Sequence, residues 1–157
     1  LIDGHGLYKP VYFGVRHRRV LDRMPGGKHV GAMLRVNTRN MGWDGNAILV
    51  GDLNARPDGS APGTYGLLLG DGFVDAWTET NGAAAGFTCC QVPTLTGPST
   101  LSQRIDYVPY REGGEAASIE ALGAELIGEE ADDRTVSGLW PSDHAGVSAP
   151  LRIRGGP

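Results

Sequence analysis

The sequence has no apolar run approaching the ~20 residues that a bilayer-spanning helix needs, and no charged opening followed by a short apolar stretch. A soluble chain is therefore expected. It opens on Leu1 rather than methionine, as a processed or partial chain would. Its two cysteines, Cys89 and Cys90, are adjacent, which excludes a disulfide framework. Neighbouring cysteines are poorly placed to bridge each other, so both are expected to be small buried side chains. There is no G-x-x-x-x-G-K-[ST] loop, no G-x-S-x-G elbow, no H-E-x-x-H pair and no C-x-x-C pair. Nucleotide-loop, serine-hydrolase and zinc readings thus lack their signatures. Positive charge is also short: 14 Lys and Arg against 18 Asp and Glu give a net charge of -4, with no general attraction to a polyanion. Arg16, Arg18 and Arg19 form a local basic cluster, read as a solvated face.

What is present is glycine, 25 of 157 residues, which predicts short elements joined by tight turns. With 40% hydrophobic residues, the chain is read as one domain over residues 1–157. Residues 11–15 read as a strand entering the basic cluster, and residues 29–41 place Val30, Met33, Leu34, Asn37 and Met41 at helical spacing. "NAILVGD" is an unbroken apolar run, read as one strand covered on both faces. "TYGLLLGDG" predicts a short helix ended by glycine, "FVDAWTE" a further short element, and "GFTCCQV" and "QRIDYVPY" strands. "SIEALGAELIGE" is compatible with helix or strand, and "WPSDHAGVSAPLRI" with a loop and a terminal strand. Strands outnumber helices, which predicts a layered α/β or α+β domain.

Polar residues collect at the predicted strand ends: Asp52 and Asn54 after "ILVG", Asp106 within "QRIDYV", Asp143 and His144 within "PSDHAG". A carboxylate just beyond a buried strand meets solvent while its low-dielectric surroundings still shift its pKa and hold its rotamer. Asp143 and His144 pair a hard oxygen ligand for Mg²⁺ or Mn²⁺ with an imidazole that titrates near neutrality. If sheet pairing brings Asp106 to His144, the carboxylate fixes the imidazole tautomer. Trp43, Trp77 and Trp140 read as core or rim aromatics, and Trp140, beside the last block, also as a residue that can line a pocket.

"ILVGDLNARPD", "QRIDYV" and "PSDHAGVSAPL", in that order, resemble the last three signature blocks of the endonuclease/exonuclease/phosphatase superfamily, and "TCCQ" resembles its bacterial branch. The resemblance implies a β-sandwich flanked by helices, of DNase I-like type, and a divalent-metal-dependent phosphoesterase using Mg²⁺ or Mn²⁺. It implies that Asp52 handles the proton of the attacking water or leaving group. Asn54 donates to a phosphate oxygen, Asp143 belongs to the metal site, and His144 acts on the phosphate or nucleophile while leaning on Asp106. It implies a phosphate-ester substrate, of a nuclease-like or a lipid/small-molecule enzyme, with nucleic acid a candidate partner.

The likeness covers the C-terminal half of that fold. The family's N-terminal Asn and metal-binding Glu blocks are not found. For the histidine of its "N-T-H-L" strand end, the chain offers "VNTR" at 36–39, with arginine in place of histidine, and "VYFGVRH", ending in His17. His17 is the preferred match; His5 and His29 read as surface residues. A metal held without the Glu would be weakly bound, and a sheet lacking its first strands exposes an edge. The missing part is therefore expected from another chain or from a segment outside this sequence. The other reading is a non-catalytic half-domain that binds phosphate groups or a partner.

Overall fold

A computed structural model of the chain describes residues 46–59, 63–113 and 118–154. The expected strand at 11–15, the helix at 29–41, His5, His17, His29, the basic cluster and Trp43 lie outside the described residues. In chain order the elements are β1 (Ala47–Ile48), β2 (Gly51–Asp52), α1 (Thr64–Gly70), β3 (Val74–Asp75), α2 (Ala76–Asn81), β4 (Asp106–Tyr107) and β5 (Pro109–Arg111). Then follow β6 (Ser118–Ala121), β7 (Glu125–Ile127), a 3₁₀ turn (Ala131–Asp133), β8 (Gly146–Ser148) and β9 (Leu151–Arg154).

The "NAILVGD" run forms two short strands in one register. β1 pairs antiparallel with β5 and β2 with β4, Ile48 opposite Tyr110 and Asp52 opposite Asp106, while the Leu49 amide donates to the Pro109 carbonyl at 2.8 Å between them. β3 takes the other side of β5. The period-2 alternation of a strand then sorts the side chains. Ala47, Leu49, Leu53 and Ala55 point to one face, where they meet Tyr65 and Leu68 of α1, Phe73 and Tyr107. Ile48, Val108 and Tyr110 point to the other face, against Ile119 and Ala121 of β6, Val147 of β8 and Leu151 of β9. Those last strands form the second layer, β6 with β9 and β7 with β8, so "SIEALGAELIGE" is two strands and no helix. The second layer covers Ile48 but leaves Val50 57% exposed. The expectation of a strand covered on both faces is corrected accordingly: along residues 50–54 only one face is packed among the described residues, and Asp52 and Asn54 stand on the open one.

Local chemistry ends and starts the helices. α1 closes with the Gly72 amide bonding the Leu69 carbonyl and the Phe73 amide bonding the Leu68 carbonyl, both at 3.0 Å. This is the paired closure that needs a left-handed residue after the helix, and Gly72 supplies it at φ 84°. Leu68 and Phe73 complete it by packing together in the first core. α2 starts on Asp75, whose Oδ1 accepts the Trp77 amide at 3.2 Å. Gly86, at φ 57°, lies against the Trp77 ring so closely that an added Cβ would fall 2.3 Å from it.

A buried ion pair joins these elements. Asp75 is 2% and Arg104 6% exposed, and Arg104 Nη1 donates to Asp75 Oδ2. The same oxygen accepts the Tyr65 hydroxyl at 3.0 Å and the Thr78 hydroxyl at 2.8 Å. The guanidinium lies over the Tyr65 and Tyr107 rings, 5.7 and 5.0 Å from their centroids. Burial disfavours the Arg104 charge, but Asp75 outweighs it and holds the pKa above its ordinary value. Burial likewise raises Tyr107, whose protonated hydroxyl lies 2.6 Å from the Ala55 carbonyl and 2.8 Å from that of Arg104.

Removing one member of such a pair leaves an uncompensated buried charge. Arg104→Met is expected to cost about 3–5 kcal/mol in urea unfolding, with part of the loss recovered in the Arg104→Met/Asp75→Asn double variant.

Candidate active site

Asp52 and Asp106 face each other across the β2–β4 ladder. The next bond along it, the Leu53 amide to the Ile105 carbonyl at 2.8 Å, makes Asp52 and Asp106 a non-hydrogen-bonded pair, the kind whose side chains stand closest. Like charges directly opposite are unfavourable, so the arrangement calls for a compensating group. His144 supplies one: its Nδ1 lies 2.8 Å from Asp106 Oδ2, with both side chains partly buried. Ligand atoms of Asp52, Asp106 and His144 all fall within 4.8 Å of one another. Asn54 closes the other side. Its backbone amide donates to Asp52 Oδ1 at 2.7 Å and its Nδ2 to Oδ2 at 3.0 Å, an Asx-type loop that holds Asn54 at φ 48°.

Residues 88–91 tie the β4 side of the site to the His144 loop. Cys89 bridges Gln103 on one side and His144 on the other. The Cys90 and Gln91 amides both donate to the Asp143 carbonyl, at 3.1 and 3.0 Å. Gln91 is buried and anchors the following loop, its Oε1 accepting the Thr100 amide at 2.8 Å and its Nε2 donating to Ser99 at 3.1 Å. "GFTCCQV" is thus a connecting rail with isolated bridges rather than a strand. Cys89 and Cys90 are joined by a disulfide, with Cys90 at φ 98°, which corrects the expectation of two unpaired thiols. Trp140 is 3% exposed, with its indole N–H on the Gly97 carbonyl at 3.1 Å, so it braces the 91–100 loop.

Asp52 carries the perturbed carboxyl. Partial burial raises its pKa above the ordinary 3.8, the Asn54 amide opposes this, the charge of Asp106 adds to it and His144 opposes. A cavity of about 520 Å³ is lined by Arg56, Tyr65, Thr78, Phe87, Gln103 and Arg104 among others. Asp52, Asp106 and His144 are not in its wall, but the segments carrying Asp52 and Asp106 run into it: Arg56 is two residues past Asn54, and its Nε donates to Gln103, three residues before Asp106, at 3.1 Å.

No protein-family model matches the chain, and neither does any curated protein. Solved structures do. A humanized D. rerio TDP2 carrying 14 mutations matches with a TM-score of 0.52 at 19% identity, over 80% of this chain and 49% of that one. D. rerio TDP2 complexed with a single strand DNA product gives 0.53 at 21% identity, over 80% and 50%. Both are DNase I-like phosphodiesterases of the endonuclease/exonuclease/phosphatase type. The chain has a DNase I-like fold. The resemblance carried by the three sequence blocks is borne out at that level, and the chain spans about half the length of the structures it matches.

On this DNase I-like frame, Asp52, Asn54, Asp106 and His144 come together. Asp143 is exposed, bonds Ser142 Oγ at 3.2 Å, and is not in the three-residue group; Asp52 stands there, reaching His144 across the ladder. His17 lies outside the described residues. Sequence reasoning did not find Asp75, Arg104 or the roles of residues 88–91. Arginine in a sequence reads as surface, and only the apolar neighbours of Arg104 in "QRIDYV" hinted at burial.

Because the folded state raises the Asp52 pKa, it holds that proton more tightly than the unfolded chain, and stability falls as pH rises through the folded value. With metal chelated, Asp52→Asn is expected to raise stability at neutral pH by up to about 1 kcal/mol, the gap closing as pH drops toward the ordinary carboxylate value, as read from thermal melts across pH.

Proposed function

We propose that this chain carries the catalytic half of a divalent-metal-dependent phosphoesterase that hydrolyses phosphodiesters, nucleic acid among them. The observation that supports the reading best is the convergence of Asp52, Asp106 and His144 with Asn54 at the edge of a DNase I-like sheet. The donor set fits Mg²⁺ or Mn²⁺. Two carboxylates and an imidazole lie close together, and although Asp52 and Asp106 already accept hydrogen bonds, a carboxylate offers about four lone-pair positions. Asp106 would hold the ion, with Asp143 as a further carboxylate, while Asp52 and Nε2 of His144 beside it remain for proton transfer. The bound ion supplies charge neutralisation on the phosphate and a more acidic water.

The protein's own groups then divide the work. Asp106 accepts from Nδ1 and so keeps the proton there, leaving Nε2 of His144 free to act on the phosphate or the nucleophile. Water oxygen attacks phosphorus, the ester P–O bond breaks, and the departing oxygen gains a proton. Asp52, its pKa raised, takes the proton of the water or delivers one to the leaving group. Asn54 has a second amide hydrogen beyond the one on Asp52, and donates it to a phosphate oxygen as charge develops. The cavity beside Arg56 and Phe87 receives substrate flanking the phosphate, and the single strand DNA product bound by the TDP2 relative supports nucleic acid as that substrate.

A second reading, a half-domain that binds phosphate or a partner chain without turnover, is favoured by the exposed Val50 on the site face. Hydrolysis of bis(4-nitrophenyl) phosphate with Mg²⁺ or Mn²⁺ separates the two. The catalytic reading expects activity lost on chelation and kcat lowered roughly 10²–10⁴-fold in Asp52→Asn and in His144→Ala. Equal rates in the wild type and both variants would remove the assigned roles, and Mn²⁺ or phosphate binding without turnover would support the second reading.

A further inference from the structure

We infer that Thr88 is a positioning residue for the Asp106–His144 pair, resting on the phosphoesterase reading above. Three of its atoms grip the two segments that carry the pair. Its Oγ1 accepts the amides of Ile105 and of Asp106 itself, both at 3.1 Å. Its amide donates to the Gln103 carbonyl at 2.8 Å, and its carbonyl accepts the Ala145 amide, next to His144, at 2.8 Å.

The need for such a grip follows from the ladder. Asp52 and Asp106 form a non-hydrogen-bonded pair, so the Asp106 amide points away from β2 and must find a partner on the other side. Among the described residues no backbone strand continues the sheet there, and the rail of residues 88–91 with its isolated bridges takes that place. A hydroxyl oxygen, with two lone pairs, satisfies two successive amides where one backbone carbonyl in a regular ladder would meet one. Thr88 is wholly buried, so no water substitutes for it, and its β-branch holds χ1 stiff. The carboxylate of Asp106 therefore stands where the Thr88 hydroxyl fixes its backbone. The imidazole stands where the Thr88 carbonyl fixes the neighbouring Ala145. The 2.8 Å contact between them is the joint outcome.

The test compares Thr88→Val, which keeps the shape and loses the acceptor, with Thr88→Ser, which keeps the acceptor, both in the full chain. The first readout is the pair of His144 ring-nitrogen shifts by two-bond ¹H–¹⁵N correlation under mildly basic conditions, which reports the tautomer without turnover. The second is Mn²⁺-dependent hydrolysis of bis(4-nitrophenyl) phosphate. Thr88→Ser is expected to retain the Nδ1–H tautomer and near-native kcat. Thr88→Val is expected to give mixed tautomers and to lower kcat about 10–100-fold with little change in KM. Thr88→Ala gives the same tautomer readout should the valine variant not fold. A single Nδ1–H tautomer in folded Thr88→Val or Thr88→Ala, or equal losses in the serine and valine variants, would overturn the inference. A wild type without turnover would sink the phosphoesterase reading while the nitrogen shifts still decide the placement by Thr88.

Discussion

One buried carboxylate organises this half-sandwich. Asp75 receives the Arg104 guanidinium, two hydroxyls and a helix-starting amide, so four donors from three parts of the chain meet on two oxygens. Burying that charge unpaired would cost several kcal/mol, which makes the set of partners all but obligatory once the core closes. The consequences run straight to the site. Arg104 lies two residues before Asp106, and its guanidinium rests on Tyr107, the residue after it. The Tyr107 hydroxyl in turn sits 2.6 Å from the Ala55 carbonyl, pinning the loop immediately beyond Asn54. The two strand ends that carry Asp52, Asn54 and Asp106 thereby take their positions from a single ionic knot beneath them.

The parts of this arrangement that were legible in the sequence are the local ones. The apolar run before them put Asp52 and Asn54 at a strand end, and three short blocks carried the likeness to a fold that the structure bears out. The pairing of Asp106 with His144, 38 residues apart, was conditional on sheet pairing and is present. What escaped was set by long-range packing. Whether Val50 is covered depends on how far the second layer extends, which residues 118–154 decide and residues 47–52 do not. Chain adjacency pointed to Asp143 beside His144, and strand register adds Asp52, which comes close to His144 from 92 residues away. The disulfide between Cys89 and Cys90 goes with a positive φ at Cys90 that no local propensity announces.

The chain corresponds to about half of the DNase I-like structures it resembles, and among the described residues the geometry of the site is built from those between Asp52 and Ala145. Two carboxylates forced together by register, an imidazole that offsets them and an amide that faces the same opening form a chemically coherent set within this half. Val50 beside them stands exposed, on the stretch of that face which the second layer leaves uncovered.

The most direct test of this account is where Mn²⁺ binds. In a titration of isotope-labelled chain, paramagnetic broadening is predicted to begin together at the amides around Asp52, Asp106 and His144 and to spare the distant edge formed by Glu120 and Arg152. Broadening that starts instead at the exposed acidic turn of Glu129, Glu130, Asp132 and Asp133, with the three site segments untouched, would contradict a single site assembled at the sheet end.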